Sequence, residues 1–153
     1  MQGRDNDMSE IKWAGLNDIE DALKLRSEYI GTEIFNNSTR VYLEKNLNTH
    51  CYIALCEGVG LAVMIENEYM PNATGYTGKW CYVQCVFVKK EYRRRRVATL
   101  LMEMLIEKAE ELGCDYLELK ASRVGMKVYK KLGFRSVKWH SNIMRYRLKE
   151  SLE

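Results

Sequence analysis

The stretch WCYVQCVFVKKEYRRRRVATLLMEMLIEKAEELGCDYLELKASRVGMKVYKKLGF, residues 80–134, decides the fold, because its hydrophobic period keeps changing along its length. Trp80 to Val88 is rich in aromatic and β-branched residues and reads as a strand. From Val97 the apolar positions Val97, Leu100, Leu101, Met104, Leu105, Ala109 and Leu112 fall at helical spacing, and Gly113 supplies the stop. Asp115 to Ala121 alternates as a strand does. Ser122 then caps a short helix over Arg123–Leu132, which Gly133 ends.

Working outward toward the N-terminus, Glu10 to Ala14 reads as a short strand. Asn17 or Asp18 caps a helix carrying Ile19, Ala22, Leu23 and Leu25 and ending near Gly31, and a second helix fits Ser38–Leu47. Cys51–Leu55, Gly58 and Leu61–Glu66 form a hairpin of two strands. The loop EYMPNATGYTGK, Glu68–Lys79, holds the single proline, Pro71. Beyond residue 134, strands fit Phe134–Trp139 and Asn142–Leu148. The order βααβββαβαββ is that of an α/β sandwich with a mixed central sheet.

The chain has 153 residues, 46% apolar and 29% charged, so residues 1–153 are expected to form a single globular domain. A net charge of +3 does not point to nucleic acid, but six of the eight residues Lys89–Arg96 are basic, so the positive charge is local. Five cysteines, an odd number, with no apolar h-region at the N-terminus favour reduced thiols in a cytoplasmic protein. No run approaches 18 apolar residues, so no membrane span is expected. Cys81 and Cys85 share one strand face as small buried residues do, and neither His50 nor His140 completes a metal-ligand set, so no metal is expected.

The junction at Val88–Thr99 is a strand, a basic turn and a helix start. A helix N-terminus presents unpaired N–H groups and the positive end of its dipole, and neighbouring arginines add charge-assisted bonds, so the junction is a candidate pyrophosphate cradle. The competing reading of the same residues is a solvated basic surface with a core helix behind it.

From this junction onward the sequence resembles the GNAT superfamily of N-acetyltransferases. The family's Arg/Gln-x-x-Gly-x-Gly/Ala signature is matched by Arg93 at its first position and Ala98 at its last, after Glu91 and Tyr92. Its later strand ending in a small-residue pair is matched by LELKAS, Leu117–Ser122, and the x-Tyr-x-Lys-x-Gly-Phe helix that follows by VYKKLGF, Val128–Phe134. Arg96 departs from the pattern, standing where the family usually has glycine. A side chain there calls for a helical φ, which a first-turn residue normally has.

The resemblance implies a GNAT-like fold with a splayed central sheet and acetyl-CoA as co-substrate, held where the fourth and fifth strands part. It implies that Phe87 and Val88 bind the pantetheine arm through their backbone and that an amide near Val86–Val88 polarises the thioester. The backbone of Arg93, Arg94, Arg95, Arg96, Val97, Ala98 and Thr99 would hold the pyrophosphate, with Lys89 or the arginines near the 3′-phosphate. Tyr129 stands where many members carry the general acid; the alternative is an aromatic packing residue. Tyr82 and Gln84 stand near the place where some members carry a glutamate base, and Glu66 and Glu68 are the nearest carboxylate candidates, so no base is assigned.

The acceptor amine, on a small molecule or peptide, would be selected by the first two helices, the Tyr69–Lys79 loop and the His140–Met144 hairpin. Glu28, Glu33, Glu66 and Glu68 are candidates to hold a cation. No nucleic-acid or membrane partner is implied, and a homodimer is compatible with the fold. Two other readings compete: an acyl-CoA-binding GNAT-fold protein without amine acetylation, and a nucleic-acid module using the 89–96 run. The second explains nothing about VYKKLGF and has only Tyr92 as an aromatic within the run.

Overall fold

In the computed structural model, which describes residues 10–71, 77–139 and 141–149, the periods close into seven strands and four helices. The strands are β1 (Ile11–Trp13), β2 (Cys51–Cys56), β3 (Gly60–Glu68), β4 (Lys79–Val88), β5 (Tyr116–Lys120), β6 (Arg135–Ser136) and β7 (Ile143–Arg147). The helices are α1 (Ile19–Ile30), α2 (Asn36–Asn46), α3 (Val97–Glu111) and α4 (Gly125–Leu132), with short 3-10 turns at Leu16–Asp18 and Lys90–Tyr92. This is the βααβββαβαββ order read from the sequence. Residues 72–76 of the Tyr69–Lys79 loop, His140 and the N-terminal residues 1–9 lie outside the described residues.

Local chemistry sets most of the boundaries. Asp18 precedes α1, and its carboxylate accepts from the Gly15 N–H at 2.8 Å and from Lys12 at 3.0 Å, which holds its carboxyl below the usual range. Gly31, Gly113 and Gly133 follow α1, α3 and α4 with φ of 79°, 77° and 114°, a conformation glycine adopts without strain. Helix α4 starts at Gly125, later than the sequence suggests. The Ser122 hydroxyl still caps it in effect, accepting the Gly125 N–H at 3.0 Å. Strand β6 keeps only two of the six residues expected, and Phe134 before it is fully buried in the core.

The buried face of α3 is rotated from the stripe read in the sequence. Met102 is fully buried, whereas Leu100 is 44% exposed. Six of the residues from Val97 to Leu105 are large and apolar, so more than one helical stripe satisfies the spacing and only the packing selects among them.

The sheet is mixed and runs β1-β2-β3-β4-β5-β7-β6. Strand β1 pairs antiparallel with β2, Ile11 opposite Cys56, and β7 pairs antiparallel with β5 and β6. Strand β4 pairs parallel with β5, Cys81 opposite Leu117 and Tyr82 opposite Glu118, and β4 runs on to Val88.

The packing falls into two units: Met1–Val63 with Cys85–Met102, and Met64–Gln84 with Glu103–Glu153. The first has β2 buried at every position, flanked by the start of β3 and backed by α1 through Ile19, Ala22, Leu23 and Leu25. The second is centred on Leu105, Leu117, Phe134 and Met144. Its buried carboxylate, Asp115, the one such among the described residues, accepts from the Thr77 N–H at 3.1 Å, the Thr77 hydroxyl at 2.9 Å and the Gly78 N–H at 3.1 Å. Those bonds answer the cost of burying a charge. Among the described residues no helix is long and apolar enough to cross a membrane.

Candidate active site

In the first unit, the end of β4 leads into the basic turn. Burial along β4 alternates through Cys81, Val83 and Cys85 and then slips, with Val86 and Phe87 half-buried and Val88 buried again. A break in a period of two re-aims the backbone, as a bulge does. Phe87 meets the ring of Tyr29 from α1 at 5.9 Å. Gly60 of β3 is what lets this segment lie where it does: a Cβ there would stand 2.6 Å from the Phe87 carbonyl oxygen and 3.1 Å from the Val88 Cα. The Lys89 N–H donates to the Val59 carbonyl at 2.9 Å and closes the strand end.

The four arginines that follow behave differently from one another, although all are exposed. Arg93 Nε donates to the Val88 carbonyl at 2.9 Å, so its side chain ties the turn to the strand it leaves. Arg95 stacks over Tyr92 at 5.5 Å. Arg94 and Arg96 have φ of 67° and 64°. The expectation of a helical φ at Arg96 is therefore incorrect: α3 begins one residue later, at Val97, and Arg96 takes the left-handed conformation for which the family's glycine is suited.

The first helical bond runs from the Leu100 N–H to the Arg96 carbonyl at 3.0 Å. By helix geometry the N–H groups of Val97, Ala98 and Thr99 have no acceptor within the helix. They open toward the end of the macrodipole that favours anions. The residues Val86–Val88 and Arg93–Thr99, expected to hold the cofactor, are thus all gathered in this one unit. So is a surface depression of about 550 Å³ lined by Asp21, Lys24, Glu28, Glu33 and Lys89 among others, which joins two of the four candidate acceptor glutamates.

Tyr129 lies in the second unit, half-buried on α4, with its ring 5.9 Å from that of Phe134. Its position depends on Gly125 one turn before it. A Cβ there would meet Tyr129 Cε2 at 2.9 Å and Ser122 Oγ at 3.0 Å. Of the carboxylates weighed as a base, Glu66 is half-buried and Glu68 exposed, and neither lines the depression. Among the described residues no three His, Cys, Asp or Glu side chains group as metal ligands.

The sequence reading missed Gly60, Gly125 and Tyr29. Gly60 carried a signal, since a glycine inside a strand often marks the close approach of another backbone. Gly125 carried none, because its role depends on the rotamer of Tyr129.

The model of the acetyltransferase (GNAT) family matches residues 16–134 of the chain. The chain belongs to the GNAT acetyltransferase family. It is an acyltransferase of that family, and its fold is shared by solved members. A predicted acetyltransferase of Clostridium acetobutylicum, solved with acetyl-CoA, superposes with a TM-score of 0.75 at 23% identity, covering 84% of this chain and 91% of that one. An aminoglycoside N-acetyltransferase in complex with CoA gives 0.68 at 20% identity, with coverage of 84% and 89%. In sequence, this GNAT acetyltransferase is 24% identical over 133 residues to N-alpha-acetyltransferase 30 of Dictyostelium discoideum, covering 84% of this chain and 68% of the relative.

Proposed function

We propose that this acetyltransferase transfers the acetyl group of acetyl-CoA to the primary amine of a small molecule or peptide. The observation that carries the reading is the start of α3, where three N–H groups without helical acceptors follow four arginines. A pyrophosphate there receives backbone N–H bonds from Val97, Ala98 and Thr99 and charge from the turn. Family members solved with acetyl-CoA or CoA support the same ligand. Upstream, the backbone at Phe87 and Val88 receives the pantetheine arm, and an amide near Val86–Val88 donates to the thioester oxygen as charge builds on it.

The neutral amine attacks the thioester carbonyl carbon, a C–N bond forms and the C–S bond breaks. Tyr129 donates its phenolic proton to the departing CoA sulfur, and the amine nitrogen releases its own proton to solvent. A phenol, with an ordinary pKa of about 10, suits protonation of a thiolate, and a positioned acid of this kind typically contributes at least tenfold. The acidic side chains Glu28 and Glu33 in the first unit suit a cationic amine.

Release of free thiol from acetyl-CoA, measured against a panel of amines and peptides, tests the reading. Turnover is expected on at least one member. Tyr129→Phe should lower kcat about tenfold or more with cofactor affinity nearly unchanged. Acetyl-CoA binding without turnover on any amine points instead to an acyl-CoA-binding protein. Loss of cofactor affinity with kcat preserved makes Tyr129 a binding residue.

A further inference from the structure

Cys81 is the third residue of β4, and Cys114 lies in the turn between α3 and β5; both belong to the second unit. Their sulfurs stand 3.1 Å apart, and the two residues are 0% and 1% exposed. A disulfide needs an S–S length of about 2.05 Å, so the sulfurs have roughly 1 Å to close. The backbone on either side is already fixed. The Asp115 N–H donates to the Lys79 carbonyl at 2.8 Å, the Cys114 N–H donates to the Ala109 carbonyl at 3.0 Å, and Cys81 pairs with Leu117 across the ladder.

We propose that Cys81 and Cys114 are an oxidation site for a hydrogen peroxide-class oxidant, which converts the pair to a disulfide. The two sulfurs are unequal. The hydrogen bond between them, which either sulfur can donate, holds the Cys114 thiol down and pushes the Cys81 thiol up, with burial and the charge of Glu66 opposing ionisation at both. Cys114 is therefore the nucleophile. Its thiolate attacks one peroxide oxygen, an S–O bond forms, the O–O bond breaks, and hydroxide leaves and is protonated to water. Cys81 then attacks the Cys114 sulfur of the sulfenic acid. The S–S bond forms, the S–O bond breaks, and hydroxide takes up the Cys81 proton as a second water. Two thiols and one peroxide thus give one disulfide and two waters.

Burial pushes Cys51 up to about 12 and, against the nearby charge of Arg26, Cys85 up to about 11. Cys56 is also raised, chiefly by burial. Because the pair is shielded, oxidation waits on local opening, and a water-sized peroxide reaches it more readily than a tripeptide disulfide does.

The test exposes the native full chain to hydrogen peroxide, alkylates the remaining thiols and maps peptides. Loss of two thiols and a cross-link between Cys81 and Cys114 are expected, slower with glutathione disulfide at equal concentration. Cys85 shares a tryptic peptide with Cys81, so Cys85→Ser is mapped in parallel and should retain the link. Cys114→Ser and Cys114→Ala should both abolish it, and either suffices if the other fails to fold. The oxidised chain should melt about 5–10 °C above the reduced one, since the bond closes a loop of more than thirty residues in the unfolded chain. All thiols surviving peroxide, a link through Cys85 instead, or sulfinic acid without a link overturns the proposal.

Discussion

Arg96 and Arg94 hold left-handed backbone, which costs a side-chain-bearing residue about 1–2 kcal/mol. Glycine would remove that strain and return about 0.5–1 kcal/mol of it through the greater freedom of the unfolded chain. Arg96→Gly should therefore stabilise the protein by up to about 1 kcal/mol, read as a higher urea midpoint at unchanged slope. A lower midpoint would show that contacts of the arginine side chain outweigh the strain. Arg96 is also where the sequence was least legible. Its residue type was plain, but its φ turned on whether the helix begins at residue 96 or 97, and spacing does not resolve a single residue. Arg93 was read for its charge, whereas its guanidinium is engaged by the Val88 carbonyl, a contact that depends on how the turn folds back on the strand.

Elements were read well where their ends have a chemical cause. The helix stops at Gly31, Gly113 and Gly133 rest on a conformation few other residues accept, so they showed in the sequence. The face of α3 did not, because its apolar residues fit several stripes. The approach of β4 to β3 was signalled only by a glycine inside a strand, Gly60, and which backbone it admits depends on the fold. Gly60→Ala sets a methyl group against backbone atoms of Phe87 and Val88, which cannot swing away as a side chain can. A loss of about 1–3 kcal/mol is expected from such overpacking, seen as a lowered melting temperature. If Phe87 and Val88 receive the pantetheine arm, acetyl-CoA affinity falls with it. A melt unchanged from wild type would show that the strands separate at little cost.

At the scale of the whole molecule, β3, β4 and α3 each run through both packing units. Each unit thus holds part of all three elements. We therefore expect one cooperative transition, and two tryptophans are placed to report it, Trp13 in the first unit and Trp80 in the second. In single-tryptophan variants that keep one or the other, urea transitions followed by fluorescence should coincide. Midpoints separated by more than experimental error would mean that the units unfold independently. The family and the order of elements were legible because they rest on local period and on two separated motifs. The two-unit packing was not, since it arises from contacts distant in sequence.

The two glycines whose absent side chains position Phe87 and Tyr129 also shape the routes by which variants of this enzyme can be explored. At position 60 an added side chain meets backbone, and at position 125 it meets the Tyr129 ring, so randomising them strains the strand pairing or displaces that ring. Ile34, 76% exposed between α1 and α2, and Val41, 66% exposed on α2, impose no such barrier. A library that keeps the fold is best diversified at exposed positions such as these, with residues 60 and 125 held fixed.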